Sequence, residues 1–117
     1  MIPEESLRHF ENAIYLPFLV KIFEKDLLIV EEIQLKFKRP YAKMIDQAIK
    51  HAQSELKKSN IYLLRNNMKL IKYNSDKEFT EYIYSSVTFE ERMKFSSNEL
   101  RNRTSDIMSE YLKMYEI

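Results

Sequence analysis

The chain is 117 residues long, 44% hydrophobic and 13% aromatic, with a formal net charge of +1 and neither glycine nor cysteine. That length fits one domain, residues 1–117, which buries roughly two-thirds of its unfolded surface, and the composition is too apolar for disorder. Without cysteine there are no disulfides or thiolate metal sites; without glycine there is no phosphate-cradling loop, dinucleotide fingerprint or nucleophile elbow, since each needs backbone that only glycine adopts cheaply.

The start, "MIPEES", is acidic and carries Pro3, which is wrong for a secretory signal. Residues 4–15 are expected to form a short helix with Leu7, Phe10 and Ile14 at helical spacing. Pro17 should end or kink it near Tyr15 and Leu16. A second helix over 17–35 lines up Val20, Phe23, Leu27 and Val30, with Leu19, Ile22, Ile29 and Ile33 beside them. Its apolar face is wide enough to be covered on more than one side, as in a central helix. Lys21, Glu24, Lys25 and Asp26 interrupt this most apolar region, which argues against a membrane span. The expected setting is the cytoplasm.

Pro40 fits the first turn of a third helix, 40–58, with a stripe of Tyr41, Ile45, Ala48, Ala52 and Leu56. Its opposite face carries Lys43, Gln47, Lys50, Ser54 and Lys57. In "YLLRNNMKLIKY", residues 62–73, two apolar runs flank Asn66-Asn67, which predicts a hairpin over 60–73. Asparagine is the residue that takes over positive φ where glycine is absent. "NSDK", 74–77, is a turn cluster, and 78–87 is rich in strand formers. Residues 88–95 read as a fourth strand or an irregular turn, although Thr88-x-x-Glu91 also fits a capping box. Ser96-x-x-Glu99 is a second capping box and opens the last helix, with Leu100, Thr104, Ile107, Met108, Tyr111, Leu112 and Tyr115 at helical intervals. The predicted fold is α+β: three N-terminal helices, a three- or four-stranded antiparallel sheet (hairpin 60–73 plus strand 78–87) and a C-terminal helix.

Catalytic constellations are hard to assemble from these residues. His9 and His51 fall on separate helices, with no His-x-x-x-His pair, and are expected to be surface or boundary histidines. The pairs Glu4-Glu5, Glu31-Glu32 and Glu90-Glu91 are sequence neighbours that point apart and do not converge across a cleft. No enzyme activity, metal or cofactor is expected.

Charge is unevenly distributed. Residues 36–73 hold ten Lys or Arg against Asp46 and Glu55, a net of +8, between acidic blocks of −4 and −3. Two functions compete for this block. A nucleic-acid regulator built like a winged helix would read DNA with helix 40–58 and touch its backbone with hairpin 61–73. The contacts would be Lys36, Lys38, Arg39, Lys43, Lys50, Arg65, Asn66, Asn67 and Lys69. Against it, "QLKFKRP" is longer than a helix-turn-helix connection, and both hairpin faces are apolar. The favoured expectation is a small regulatory or adaptor protein that binds protein and pairs with itself, acidic block against basic. Tyr62, Tyr73, Tyr82 and Tyr84 are the candidate interface. The Lys/Asn/Ile/Tyr-rich composition is of the kind found in AT-rich bacteria and phages.

Overall fold

The structure, a computed structural model, describes residues 2–33 and 38–115. Its elements are α1 (Glu4–Glu32), α2 (Lys38–Arg65), β1 (Lys69–Ser75), β2 (Phe79–Ser85), β3 (Glu90–Ser96) and α3 (Ser97–Lys113). The strands form an antiparallel meander in the order β1-β2-β3. The α+β class, the antiparallel sheet and the C-terminal helix match the expectation, and within 88–95 residues 90–95 are strand. Lys36 and the end of the expected second helix lie outside the described residues.

Two helices stand where three were expected. Pro17 lies inside α1, which runs unbroken through it. A mid-helix proline costs about 3 kcal/mol by losing one hydrogen bond and crowding the preceding turn. Leu16, Leu19 and Phe23, all buried, offset this at about 1.5–3 kcal/mol each. Pro17 itself is exposed, so its ring is not forced into the core.

The larger correction concerns residues 60–73. Ile61 to Arg65 belong to α2, and the predicted hairpin does not exist. Buried Ile45, Ala48, Ala52, Ser59 and Leu63 carry one helical stripe straight through the segment. The apolar run Ile61–Leu64 is short enough to suit either structure, and the continuing stripe decides for helix. Asn66-Asn67 is indeed a turn, but it is a helix cap. Asn67 has φ 55°, Met68 N–H donates to Leu63 O (2.8 Å) and Asn67 N–H to Leu64 O (3.2 Å). That pair of bonds is a Schellman motif with asparagine in the place usually held by glycine. The Asn66 side chain also donates to Tyr62 O (2.8 Å), so the last carbonyls of α2 are satisfied locally.

The true hairpins lie further on and also avoid glycine. Asp76 Oδ1 accepts from Glu78 N and Phe79 N, both 2.8 Å, and closes β1–β2. Ser86 Oγ accepts from Thr88 N (3.1 Å) and Phe89 N (3.2 Å) and closes β2–β3 in the same way. Side-chain oxygens thus stand in for turn backbone. Ser96 caps α3 by accepting from Glu99 N at 3.0 Å, as the capping box predicts.

Two apolar clusters hold the elements together. In one, Leu16, Leu19, Val20 and Phe23 of α1 meet Ile45, Ala48, Ile49 and Ala52 of α2, with Ile107, Met108 and Tyr111 of α3 packed against them. In the other, Phe10, Ile14 and Tyr15 meet Leu63 and the inward face of the sheet, Tyr82 and Tyr84. Between α1 and α2 runs a polar seam: Ser6 with Tyr62 (2.9 Å), and Ser59 with His9 Nδ1 (2.9 Å) and Asn12 (3.0 Å).

Candidate interaction surfaces

α1 carries apolar residues on more than one side, and the fold covers only some of them. α2 and α3 take the side carrying Leu16, Leu19, Val20 and Phe23. Phe18, Ile22 and Ile29, at intervals of four and seven, and Ile33 at the C-cap remain 38–55% exposed. Phe18 and Ile22 also form one wall of a groove of about 360 Å³, whose other wall is Leu100, Thr104 and Met108 of α3. Ser97, Ser105 and Arg101 line its rim. Scattered apolar residues on a surface are ordinary; here four share one side of α1, interrupted by Lys25, and two of them border an apolar groove. The sequence contained the signal in the width of the apolar face of residues 17–35. It did not contain the fact that, among the described residues, no second layer covers the far side.

α2 presents the opposite chemistry. Its core stripe faces inward, and Arg39, Lys43, Lys50 and Lys57 run along the reverse side, all exposed. Arg65 and Lys69 follow at its C-terminal end, exposed as well. Lys50 pairs with Asp46 (3.0 Å) and Lys58 with Glu55 (3.5 Å). Arg39, Lys43, Lys57, Arg65 and Lys69 make no ion pair with another described residue. Lys38 donates to Glu31 O (2.7 Å) and ties the start of α2 to the end of α1. Asn66 and Asn67 are exposed, but they cap α2 and form no wing.

The four tyrosines do not share a surface. Tyr82 and Tyr84 are core residues, with Tyr84 0% exposed and stacked on Phe10 at 4.5 Å. Tyr62 stacks on His9 at 4.0 Å between α1 and α2. Only Tyr73 is exposed, and the Arg92 guanidinium covers its ring at 4.5 Å. Alternation explains the difference: Thr80, Tyr82 and Tyr84 fall on the helix-facing side of β2. Burial raises the Tyr84 hydroxyl above its ordinary range, and that hydroxyl has no hydrogen-bond partner among the described residues.

Both histidines are structural parts of helix contacts. His9 is buried, and burial, reinforced by the neighbouring Arg8 guanidinium, lowers its pKa; Glu5 and Glu55 pull the other way. His51 Nδ1 lies 3.0 Å from the Tyr115 hydroxyl, and its Nε2 lies 3.7 Å from Glu55. Burial pushes Tyr111, whose ring stands 4.9 Å from His51, up to about 12. Among the described residues no three His, Asp or Glu side chains are grouped to hold a metal ion. No helix among them is long and apolar enough to cross a membrane.

Comparison with known proteins gives two concordant matches. The family described as "YhjD protein" matches residues 1–116. The Bacillus subtilis (strain 168) protein named "Uncharacterized protein YhjD" is 30% identical over 111 residues, covering 95% of this chain and 92% of the relative. No solved structure matches. With the family's pattern extending over nearly its whole length, the chain belongs to the YhjD family.

Proposed function

We propose that the chain acts in the cytoplasm by binding protein, without catalysis, and that it binds a second copy of itself through the open face of α1 and the α1–α3 groove. The supporting observation is the apolar row Phe18, Ile22, Ile29 and Ile33 beside a groove lined by Leu100 and Met108. The exposed area points the same way. It totals 8397 Å², against about 6,800 Å² for a compact monomer of 14.2 kDa. A standard interface removes about 800 Å² from each partner, well within that surplus.

Size-exclusion chromatography with light scattering over a range of concentrations tests this. The expected mass is twice that of one chain, and Ile22→Glu should return it to one chain with the helical circular dichroism unchanged. A native chain that stays monomeric at high concentration overturns the proposal.

A second reading, nucleic-acid binding without a wing, is favoured by the exposed cations of α2. Arg39, Lys43, Lys50 and Lys57 lie along one face, and Lys43 to Lys57 span about 21 Å. Titrating a labelled mixed-sequence duplex at low and moderate salt, followed by fluorescence anisotropy, tests it. Phosphate contacts would make binding fall steeply with salt, and Lys43→Glu with Lys57→Glu would lower the log–log slope by about two units. Absence of binding at low salt removes this reading.

A further inference from the structure

We propose that the two copies pair antiparallel along α1, with the two-fold axis between Lys25 and Asp26. This rests on the self-association proposed above and adds its geometry and register.

The open row on α1 is a palindrome. Phe18 and Ile33 are equally distant from the midpoint between residues 25 and 26, and so are Ile22 and Ile29. A two-fold interface is isologous, so each patch must be complementary to itself. An antiparallel pair set at this midpoint places Ile22 of each copy against Ile29 of the other. It also places Phe18 against Ile33. All four contacts are apolar, along about 22 Å of helix. The groove between α1 and α3 then has an occupant. Ile29 and Ile33 of the second copy reach the walls formed by Phe18, Ile22, Leu100, Thr104 and Met108.

Charge selects the direction. At 100° per residue, Lys21 and Glu32 lie on the same flank of the row, Lys21 in its first half and Glu32 in its second. In an antiparallel pair the same flanks meet head to tail, so Lys21 of each copy faces Glu32 of the other. In a parallel pair the two-fold would run along the helices and bring opposite flanks together, so Lys21 and Glu32 would not face each other and this complementarity would be lost. Lys25 lies within the row near the axis, level with Asp26 of the other copy. Its aliphatic stem can lie over the apolar row while the ammonium reaches the rim.

The native chain lacks cysteine, so single introduced cysteines report the register directly. Three exposed or half-buried positions outside the apolar contacts serve: Lys25→Cys, Lys21→Cys and Glu32→Cys, each checked for native circular dichroism and oxidised with diamide. The expected result is a disulfide-linked dimer for Lys25→Cys alone. Lys21→Cys and Glu32→Cys should cross-link when mixed, and each should stay largely unlinked by itself. If Lys21→Cys and Glu32→Cys fail to link to one another while the native chain is a dimer, the pair is not antiparallel in this register and the proposal is overturned. If no variant links while light scattering of the native chain still gives a dimer, the interface lies elsewhere and this proposal fails alone. A monomeric native chain ends both proposals together.

Discussion

His9 occupies a position where one proton changes several contacts. Arg8 Nη2 lies 3.4 Å from Nε2, so this nitrogen accepts and Nδ1–H donates to Ser59 Oγ. A second proton would bring charge into a buried site beside a guanidinium. Glu5 and Glu55 act in the opposite sense, and the net shift is downward from 6.5. The unfolded chain therefore takes up the proton first as pH falls. Stability should be full above about pH 6.5 and decline below it, levelling once the folded His9 is itself protonated. Urea denaturation between pH 7.5 and 5 should show this loss, and His9→Gln should flatten the profile in that range. Tyr84 offers the complementary case. Its hydroxyl is buried without a partner among the described residues, so Tyr84→Phe should leave the denaturation midpoint unchanged or raise it. Tyr62→Phe, which removes the bond to Ser6, should cost about 0.5–1.5 kcal/mol in the same assay.

The junction between α2 and β1 turns on the positive φ of Asn67. A residue with a Cβ and no short polar side chain costs roughly 1–2 kcal/mol in that conformation. Thermal unfolding should show Asn67→Ala destabilised by about 1 kcal/mol and Asn67→Gly equal to the native chain or slightly better. The same position shows what was legible from sequence. Scarcity of glycine marked Asn66-Asn67 as a turn, and that much held. A turn at positive φ serves a hairpin or a helix cap equally well, and the neighbours Ile61–Leu64 suit either periodicity. Only the continuation of the stripe from Ala52 through Ser59 to Leu63 separates them, and Ser59 hides it by being polar. The hydroxyl of Ser59 is matched by His9 and Asn12, fifty and forty-seven residues away, which no local pattern reports. Pro17 failed as a helix stop for the same reason: tertiary burial of Leu16 and Leu19 outweighs a local penalty. By contrast, the cap at Ser96 and the stripe of α3 depend on near neighbours and were readable. Among site residues, helical spacing sets Lys43 and Lys50 opposite the core stripe, but whether the basic residues are exposed or paired internally depends on tertiary contacts. The inward turn of Tyr82 and Tyr84 depends on which face of β2 meets α1.

The whole molecule is long and thin, 55 × 31 × 17 Å, with a radius of gyration of 16.2 Å against about 13 Å for a compact chain of this length. At that thickness α1 is not enclosed by the other described elements, and the proposed association would take its outer row out of water. A dimer that is more stable than its separated chains makes unfolding depend on concentration. The melting temperature should therefore rise as protein concentration is raised, whereas Ile22→Glu should melt at one temperature throughout. The turns built from Asp76, Ser86 and Asn67 have a further consequence, which lies in the denatured ensemble. An average chain of this length would carry roughly eight glycines. Each glycine replaced by a residue with a side chain, where the native backbone allows it, removes about 0.4–1 kcal/mol of unfolded-state freedom. Summed over eight positions, that is on the order of 3–8 kcal/mol, comparable to the entire net stability of a small domain. The elongated form, with little core per residue, is sustained in part by a chain that has comparatively little disorder to gain by unfolding.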